Sequence, residues 1–496
     1  MTLSTLIVIF AIIGAILTAI VGYFFKAQKN WLVSFLQNFC GTWFIFSGFV
    51  KAVDPMGTAF KMHQYFSEFE ATANGTLLSF LAPIFPWLAN FAIQFSVFMI
   101  VLEIVLGVML ILGIKPKLTA WLFAIIMIFF TVLTGFTYLT GFVPTDTNFF
   151  DFGKWTAFKE SNMRVTDCGC FGDFIKLNPK TSFFKDLGLM IPTILFLLWN
   201  KRFHQLFSPA VRNGLGWLTV AGFTYYCLSN FIWNEPQIDF RPFAIGANIR
   251  EQKAAEHKAE SEVRILKWVL KNKQNSKVVE LSNDVYLKEL ANYSSEQWEI
   301  IDQIKTKPVI PHTKISDFEV QDMNGNDVTE DLLTNPNYSL MLVSYKLKDN
   351  GSRIEKITVQ DSTFIIDTIR ILGTDSFTIN KTFQGLVAKT IEKEVFNWDK
   401  NYTAPYTETV QPVVNEAIKD GIQAFMLTAL AEPQRVEDFR NTVNAQYPFY
   451  QGDDLLVKTI MRSNPGVVLL KNGEIINKWH YKQLPSYQEI KSKYMK

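Results

Sequence analysis

A chain of 496 residues is too long for one compact domain and predicts two or three. Its net charge of +2, with no basic tract that would track a phosphate backbone, sets nucleic acid aside as a partner. The apolar content of 49% is unevenly spread: residues before about 235 read as hydrocarbon with short polar breaks, and those after it as a water-soluble protein.

About six apolar stretches approach the roughly 20 residues a membrane helix needs, at 3–25, 31–50, 86–113, 118–142, 183–199 and 215–233. Lipid is therefore the first expected partner. Lys26 and Lys29, Lys115 and Lys117, and Lys201, Arg202 and Arg212 fall in alternate short breaks, which belong in the cytoplasm. The long mixed-charge breaks at 51–85 and 143–182 then face outward, as do both termini and everything after Trp233. The first span does not read as a cleaved leader, because Met1–Leu6 carries no positive side chain and the lysines come after the apolar run.

Only 4 cysteines occur, and Cys40 and Cys227 lie inside apolar runs. Cys168 and Cys170 stand one residue apart in Asp167-Cys168-Gly169-Cys170-Phe171-Gly172-Asp173, within an outward break where thiols can stay oxidised. Extended residues at this spacing lie about 6–7 Å apart, at the upper edge of disulfide reach, and Gly169 lets the backbone fold tighter. A strained disulfide there would accept electrons readily. Asp167 and Asp173 oppose a thiolate unless a cation such as Arg164 is near. A redox pair, a structural disulfide, two unreactive thiols and half of a metal site all remain open. With 5 histidines in the chain, no metal is assigned.

Glu103 lies deep in an apolar run, which costs at least ~2.5 kcal/mol, so it must face the bundle interior. Lys51 and Asp54 are candidates for the same cluster. Two roles compete: a proton site, or a protonated side chain hydrogen-bonding two helices. Asp239 and Arg241 just after the last run either pair to anchor the linker or meet the cysteine loop. A transporter is disfavoured, since there is no repeat and charge within the spans reduces to Glu103.

The soluble half predicts strands at 263–270 and 277–281, a proline linker ending at Pro311, and then an alternating pattern. Strands are expected at 339–345, 422–427, 447–450, 467–470 and 475–481, and helices at 410–419, 433–445, 455–462 and 487–494. That order predicts an α/β sandwich. A long insertion occupies 352–401.

These residues carry two resemblances. Ser47-Gly48-Phe49-Val50-Lys51-Ala52-Val53-Asp54-Pro55, the Glu103…Gly107…Gly113 run and the Cys-Gly-Cys-Phe-Gly loop ending at Asp173 resemble, in order, motifs of the DoxX/MauE family of membrane proteins. The likeness covers about 31–199 and implies a four-helix membrane core. It also implies sulfur and electron chemistry at a bacterial inner membrane, with quinone as a cofactor in some relatives and a maturation role in others. Asn464-Pro465-Gly466-Val467-Val468-Leu469-Leu470-Lys471-Asn472-Gly473, with Ile315-Ser316-Asp317-Phe318 earlier, resembles the thioredoxin superfamily. That resemblance implies a cis-proline at Pro465. It departs where the redox cysteines should stand, because Lys346-Leu347-Lys348-Asp349-Asn350 occupies that place and no cysteine occurs after Cys227.

The expected organisation is thus an N-terminal helix (1–30), a DoxX/MauE-like bundle (31–234), a periplasmic linker with some β-structure (235–312) and a thioredoxin-like domain without Cys-x-x-Cys (313–496). One expected role is periplasmic thiol/disulfide or quinone-linked electron transfer through Cys168 and Cys170, with Glu103 as a catalytic candidate and a thiol/quinone oxidoreductase as the enzyme class. The other is a non-enzymatic scaffold or maturation factor whose inactive thioredoxin-like domain binds a periplasmic partner.

Overall fold

The computed structural model describes residues 2–165, 169–370 and 377–495, and these fall into two units, Met1–Ile245 and Gly246–Lys496.

The first unit is helical. Its principal helices are α1 (Leu3–Ala19), α2 (Trp31–Val53), α3 (Pro55–Ala73), α4 (Ala92–Leu112), α5 (Pro116–Thr140), α6 (Pro179–Trp199) and α7 (Pro209–Leu228). Proline opens α3, α5, α6 and α7, where a missing N–H costs nothing and the fixed φ suits the first turn. Gly113 ends α4 at φ +67, and a Cβ there would lie 1.9 Å from the His204 carbonyl oxygen, so both conformation and space demand glycine.

Among the described residues, five helices are long and apolar enough to cross a membrane: Leu3–Phe24, Trp31–Val53, Ala92–Leu112, Pro116–Thr140 and Pro179–Arg202. The chain is a multi-pass membrane protein. The sixth expected span differs. Its segment is helical, as α7 and the turn Ser229–Trp233, but Asn213, Thr219, Thr224 and Ser229 dilute its apolar character below that of the other five. It nevertheless runs the length of the bundle, with Gly216 close to Ile114 at one end and Asn230 Nδ2 donating to the Ala52 carbonyl at the other (3.1 Å). The break at 51–85 folds into α3, which packs along α4.

Without a hydrophobic drive between helices in lipid, close approach and polar contacts hold such a bundle together. The α2–α4 seam is built that way. A Cβ on Gly107 would sit 2.6 Å from the Gly41 carbonyl oxygen, and one on Gly48 would sit 2.4 Å from Ile104 Cγ1. Gln37 Nε2 donates to the Leu110 carbonyl at 2.9 Å while its Oε1 accepts from the His204 N–H at 2.9 Å. Asn38 Nδ2 donates to Thr18 Oγ1 at 3.0 Å, tying α1 to α2.

The second unit begins with α8 (Ile249–Ser261) and a small antiparallel sheet, β1 (Ile265–Asn272), β2 (Val278–Ser282) and β3 (Trp298–Lys305), in the order β2-β1-β3. The expected linker therefore contains a helix and a third strand that local sequence did not reveal. Glu256 on α8 accepts from the Thr313 N–H (2.8 Å), Thr313 Oγ1 (2.7 Å) and Ser316 Oγ (2.5 Å), which fastens α8 to the segment that leads into the central sheet.

A five-stranded sheet forms the centre, from β4 (Tyr338–Ser344), β7 (Gln423–Ala429), β8 (Phe449–Gly452), β9 (Gly466–Lys471) and β10 (Glu474–His480), in the order β10-β9-β4-β7-β8. Strands β4, β7 and β8 are parallel, while β9 and β10 are antiparallel to their neighbours. One face packs Leu340, Leu342, Met426 and Val467 against helices α9 (Gln411–Lys419), α10 (Pro433–Thr442) and α12 (Tyr487–Tyr494), with α11 (Asp454–Ile460) lying between α10 and α12 in the chain. Both faces are covered, so β4 and β9 read as continuous apolar runs rather than alternating ones. The Asn464–Pro465 peptide bond before β9 is cis.

The insertion expected at 352–401 is a two-stranded antiparallel ribbon, β5 (Asp349–Arg370) and β6 (Phe377–Trp398). At ~3.3 Å per residue its 22-residue strands extend about 70 Å. Its base is pinned to α10 by Trp398 Nε1, which donates to Asp438 Oδ2 at 2.9 Å.

Candidate functional site: a charged cavity beneath the cysteine loop

Cys168 and Asp167 lie outside the described residues. Cys170 is described, and it carries a free, half-buried thiol. Its loop is held by a local bridge between Phe171 and Ile175 and by left-handed glycines at Gly169 (φ +58) and Gly172 (φ +52). Phe171 is fully buried and packs against Trp43 and Phe46 of α2. Ser47 Oγ donates to the Cys170 carbonyl at 2.9 Å. The loop is thus seated on α2.

Beneath it lies a small, partly open cavity of about 50 Å³, room for a few waters. Lys51, Glu103 and Cys170 line it, with Thr134, Lys185 and Asp186 opposite. Two ion pairs cross its walls. Lys51 Nζ meets Glu103 Oε2 at 2.6 Å, with both side chains almost wholly buried. Lys185 Nζ meets Asp186 Oδ1 at 2.5 Å, and Asp186 Oδ2 accepts from Thr134 Oγ1 at 2.9 Å. Lys51 also lies 5.0 Å from the Phe130 ring centroid, as a cation–π contact.

Several site expectations change here. Of the two candidates for the Glu103 cluster, Lys51 is the one the structure pairs with it directly. Charge within the apolar runs does not reduce to Glu103. Lys185 and Asp186 are buried near the start of α6, and their signal was in plain view as two charges early in the 183–199 run. Among the described residues, Arg164 does not face Cys170. It donates to Thr72 Oγ1 (3.2 Å) and the Thr147 carbonyl (2.8 Å) and approaches Glu68 at 3.9 Å. The cations that face Cys170 are Lys185 and Lys51. Burial pushes the Cys170 thiol up from its ordinary value; those two lysines pull the other way, and Asp186 adds to the rise.

Asp54 caps α3, accepting from the Gly57 N–H at 3.1 Å. Asp173 is half-buried and approaches Lys176 at 3.7 Å. Gly107 belongs to the α2–α4 seam, not to the cavity. Cys40 and Cys227 sit in separate apolar clusters.

Of the two roles considered for Asp239 and Arg241, the structure shows the pairing that anchors the linker. Arg241 is buried and bonds Asp239 Oδ1 at 2.6 Å and Glu235 Oε2 at 3.1 Å. Burial alone would depress the guanidinium, but Asp239, Glu235 and Asp54 hold it firmly charged. The neighbouring Phe240 ring meets Phe174 of the cysteine loop edge-on, 5.1 Å between centroids. The chain leaves the bundle at the end that carries Cys170.

In the second unit, the place after β4 is sealed by hydrogen bonds. Ser344 Oγ lies 2.8 Å from Tyr406 Oη and donates to Asn464 Oδ1 at 3.0 Å. Tyr402 Oη (2.5 Å) and Asn464 Nδ2 (2.9 Å) both donate to the Lys346 carbonyl. Burial lifts the Tyr406 phenol well above its usual value, so it stays a neutral hydrogen-bonding group.

Compared with family models, curated proteins and solved structures, the chain matches none.

Proposed function

We propose that this is a DoxX/MauE-like protein of a bacterial inner membrane whose Cys168/Cys170 pair exchanges disulfides with a periplasmic client protein. The observation that carries the reading is the placement of Cys170 in the wall of a small cavity lined by two buried ion pairs. A structural thiol needs no such charge beneath it, and perturbing groups gather where chemistry is done. In the exchange, a client thiolate attacks the Cys168–Cys170 disulfide and a mixed disulfide forms. The second client thiol then displaces it. The client leaves with one disulfide, and the pair is left as two thiols that have taken up the two protons.

The small volume of the cavity favours an exchange that needs no quinone inside it. About 50 Å³ is a third of the ~150 Å³ that accepts benzene in an apolar core, so the proposed chemistry stops at thiol exchange.

A thioredoxin-like second unit is supported by the strand order β10-β9-β4-β7-β8, with parallel β4 and β7, and by the Asn472-Gly473 turn joining antiparallel β9 and β10. A scaffold role is the second reading. It is favoured by the sealed Tyr–Ser–Asn cluster and by the ribbon, which exposes Ile354, Phe364, Ile366 and Phe383.

The test uses the oxidised full chain in lipid nanodiscs and a dithiol peptide. One peptide disulfide per chain, lost in both Cys168→Ser and Cys170→Ser, supports exchange. No transfer, together with cellular function that survives Cys168→Ser, leaves the scaffold.

A further inference from the structure

We infer that Lys185 is the cation that stabilises the Cys170 thiolate, and that Asp186 competes with the sulfur for it. The inference rests on Cys170 being a working thiol and goes on to name the group that activates it.

A buried thiol in apolar surroundings is inert, because its reactive form is an anion that burial disfavours. A nearby cation reverses this. Lys185 and Cys170 line the same small cavity, and of the charges facing the sulfur Lys185 acts on it most strongly, Asp186 next and Lys51 less. Lys51 is committed to Glu103 at 2.6 Å. Lys185 has a different kind of partner, because Asp186 divides its oxygens between Lys185 Nζ and Thr134 Oγ1. The remaining charges around the site are accounted for. Lys61 of α3 lines the cavity and donates to Gln64 Oε1 at 3.3 Å, Asp173 of the loop approaches Lys176, and Arg164 is turned toward Glu68.

A second feature lies nearby on the same helix. Ser182, on the turn of α6 before Lys185, is completely buried, and its hydroxyl has no hydrogen-bond partner among the described residues. It faces Cys170 and can donate to a thiolate there. A buried hydroxyl left unpaired costs about 1–3 kcal/mol, and forming the thiolate supplies its acceptor.

The arrangement makes opposite predictions for adjacent residues. Removing Lys185 withdraws the stabilising charge. Removing the charge of Asp186 frees Lys185 for the sulfur. The experiment measures iodoacetamide alkylation of Cys170 against pH, in the full chain carrying Cys40→Ala, Cys168→Ser and Cys227→Ala, in lipid nanodiscs. Lys185→Met should slow alkylation about tenfold at neutral pH and move its midpoint upward, one pKa unit being a tenfold change in thiolate. Lys185→Arg should restore most of the rate. Asp186→Asn should accelerate it. A merely structural role would move Lys185→Met and Asp186→Asn in the same direction, and that result, or no change in either, overturns the proposal. If Lys185→Met does not fold, Asp186→Asn decides alone: acceleration supports the inference, and an unchanged or slower rate sinks it. Alkylation requires no client, so a failed peptide exchange with this pattern intact would reject only the proposed function.

Discussion

Lys51 Nζ lies 2.6 Å from Glu103 Oε2, joining the last turn of α2 to the middle of α4 inside an apolar bundle. Breaking such a pair leaves one charge buried alone, which costs about 3–5 kcal/mol, whereas replacing both partners by apolar groups is often neutral. Lys51→Met and Glu103→Leu should each lower the unfolding midpoint of the full chain in micelles more than the double variant does. A double variant that is stable but inactive in peptide exchange would assign the pair to chemistry; one that is stable and active would assign it to assembly.

The same two helices touch at Gly41 and Gly107. A methyl on Gly107 has no room, since Gly41 O and Ile45 would lie 2.6 and 2.7 Å from it. Gly107→Ala should therefore destabilise the bundle by about 1–3 kcal/mol through forced separation of α2 and α4. Gly188→Ala, which meets open space on α6, should leave the midpoint unchanged.

Acid should loosen the second unit at α8. Burial alone would raise the Glu256 carboxyl, but bonds from Ser316, Thr313 and Gln252 win and hold it below its ordinary 4.5. As pH falls, the unfolded chain takes up this proton first. The stabilisation is complete above about 4.5 and is lost as pH drops through the folded value. Glu256→Gln should lower the thermal midpoint at pH 7 and flatten its decline between about pH 5 and 3. A variant as acid-sensitive as the parent would show that the carboxylate does not matter.

The end of the bundle that holds Cys170 also releases the chain toward the second unit, through Asn230 on Ala52 and Phe240 on Phe174. A lipid-impermeant maleimide and an external protease should therefore reach Cys170 and the second unit from the same side. Both are expected to be attacked in intact spheroplasts and protected in inverted vesicles. Labelling from opposite sides would mean that α7 does not cross.

Apolar length made the spans legible in local sequence, and the alternation after Pro311 did the same for the central sheet, because burial writes periodicity directly into the residues. The failures share a cause. The ribbon at 349–398 escaped notice because its strands pair with each other and bury little, so its apolar residues, Ile354 and Phe364 among them, follow no burial pattern. Helix α8 escaped for the same reason, since its mostly charged surface hides the buried Glu256. At the site, Cys170, Glu103 and Lys51 stood out as chemical exceptions in their surroundings. Lys185 and Asp186 did not, because charges near the start of an apolar run look like its wet margin. Only tertiary packing turns them inward.

The edge-on contact of Phe240 with Phe174 has a mechanical consequence. The stalk that carries everything beyond Ile245 is clasped to the very segment that bears the sulfur. Phe240→Ala should therefore loosen the Cys170 loop and speed alkylation of its thiol, without altering a residue of the crossing helices.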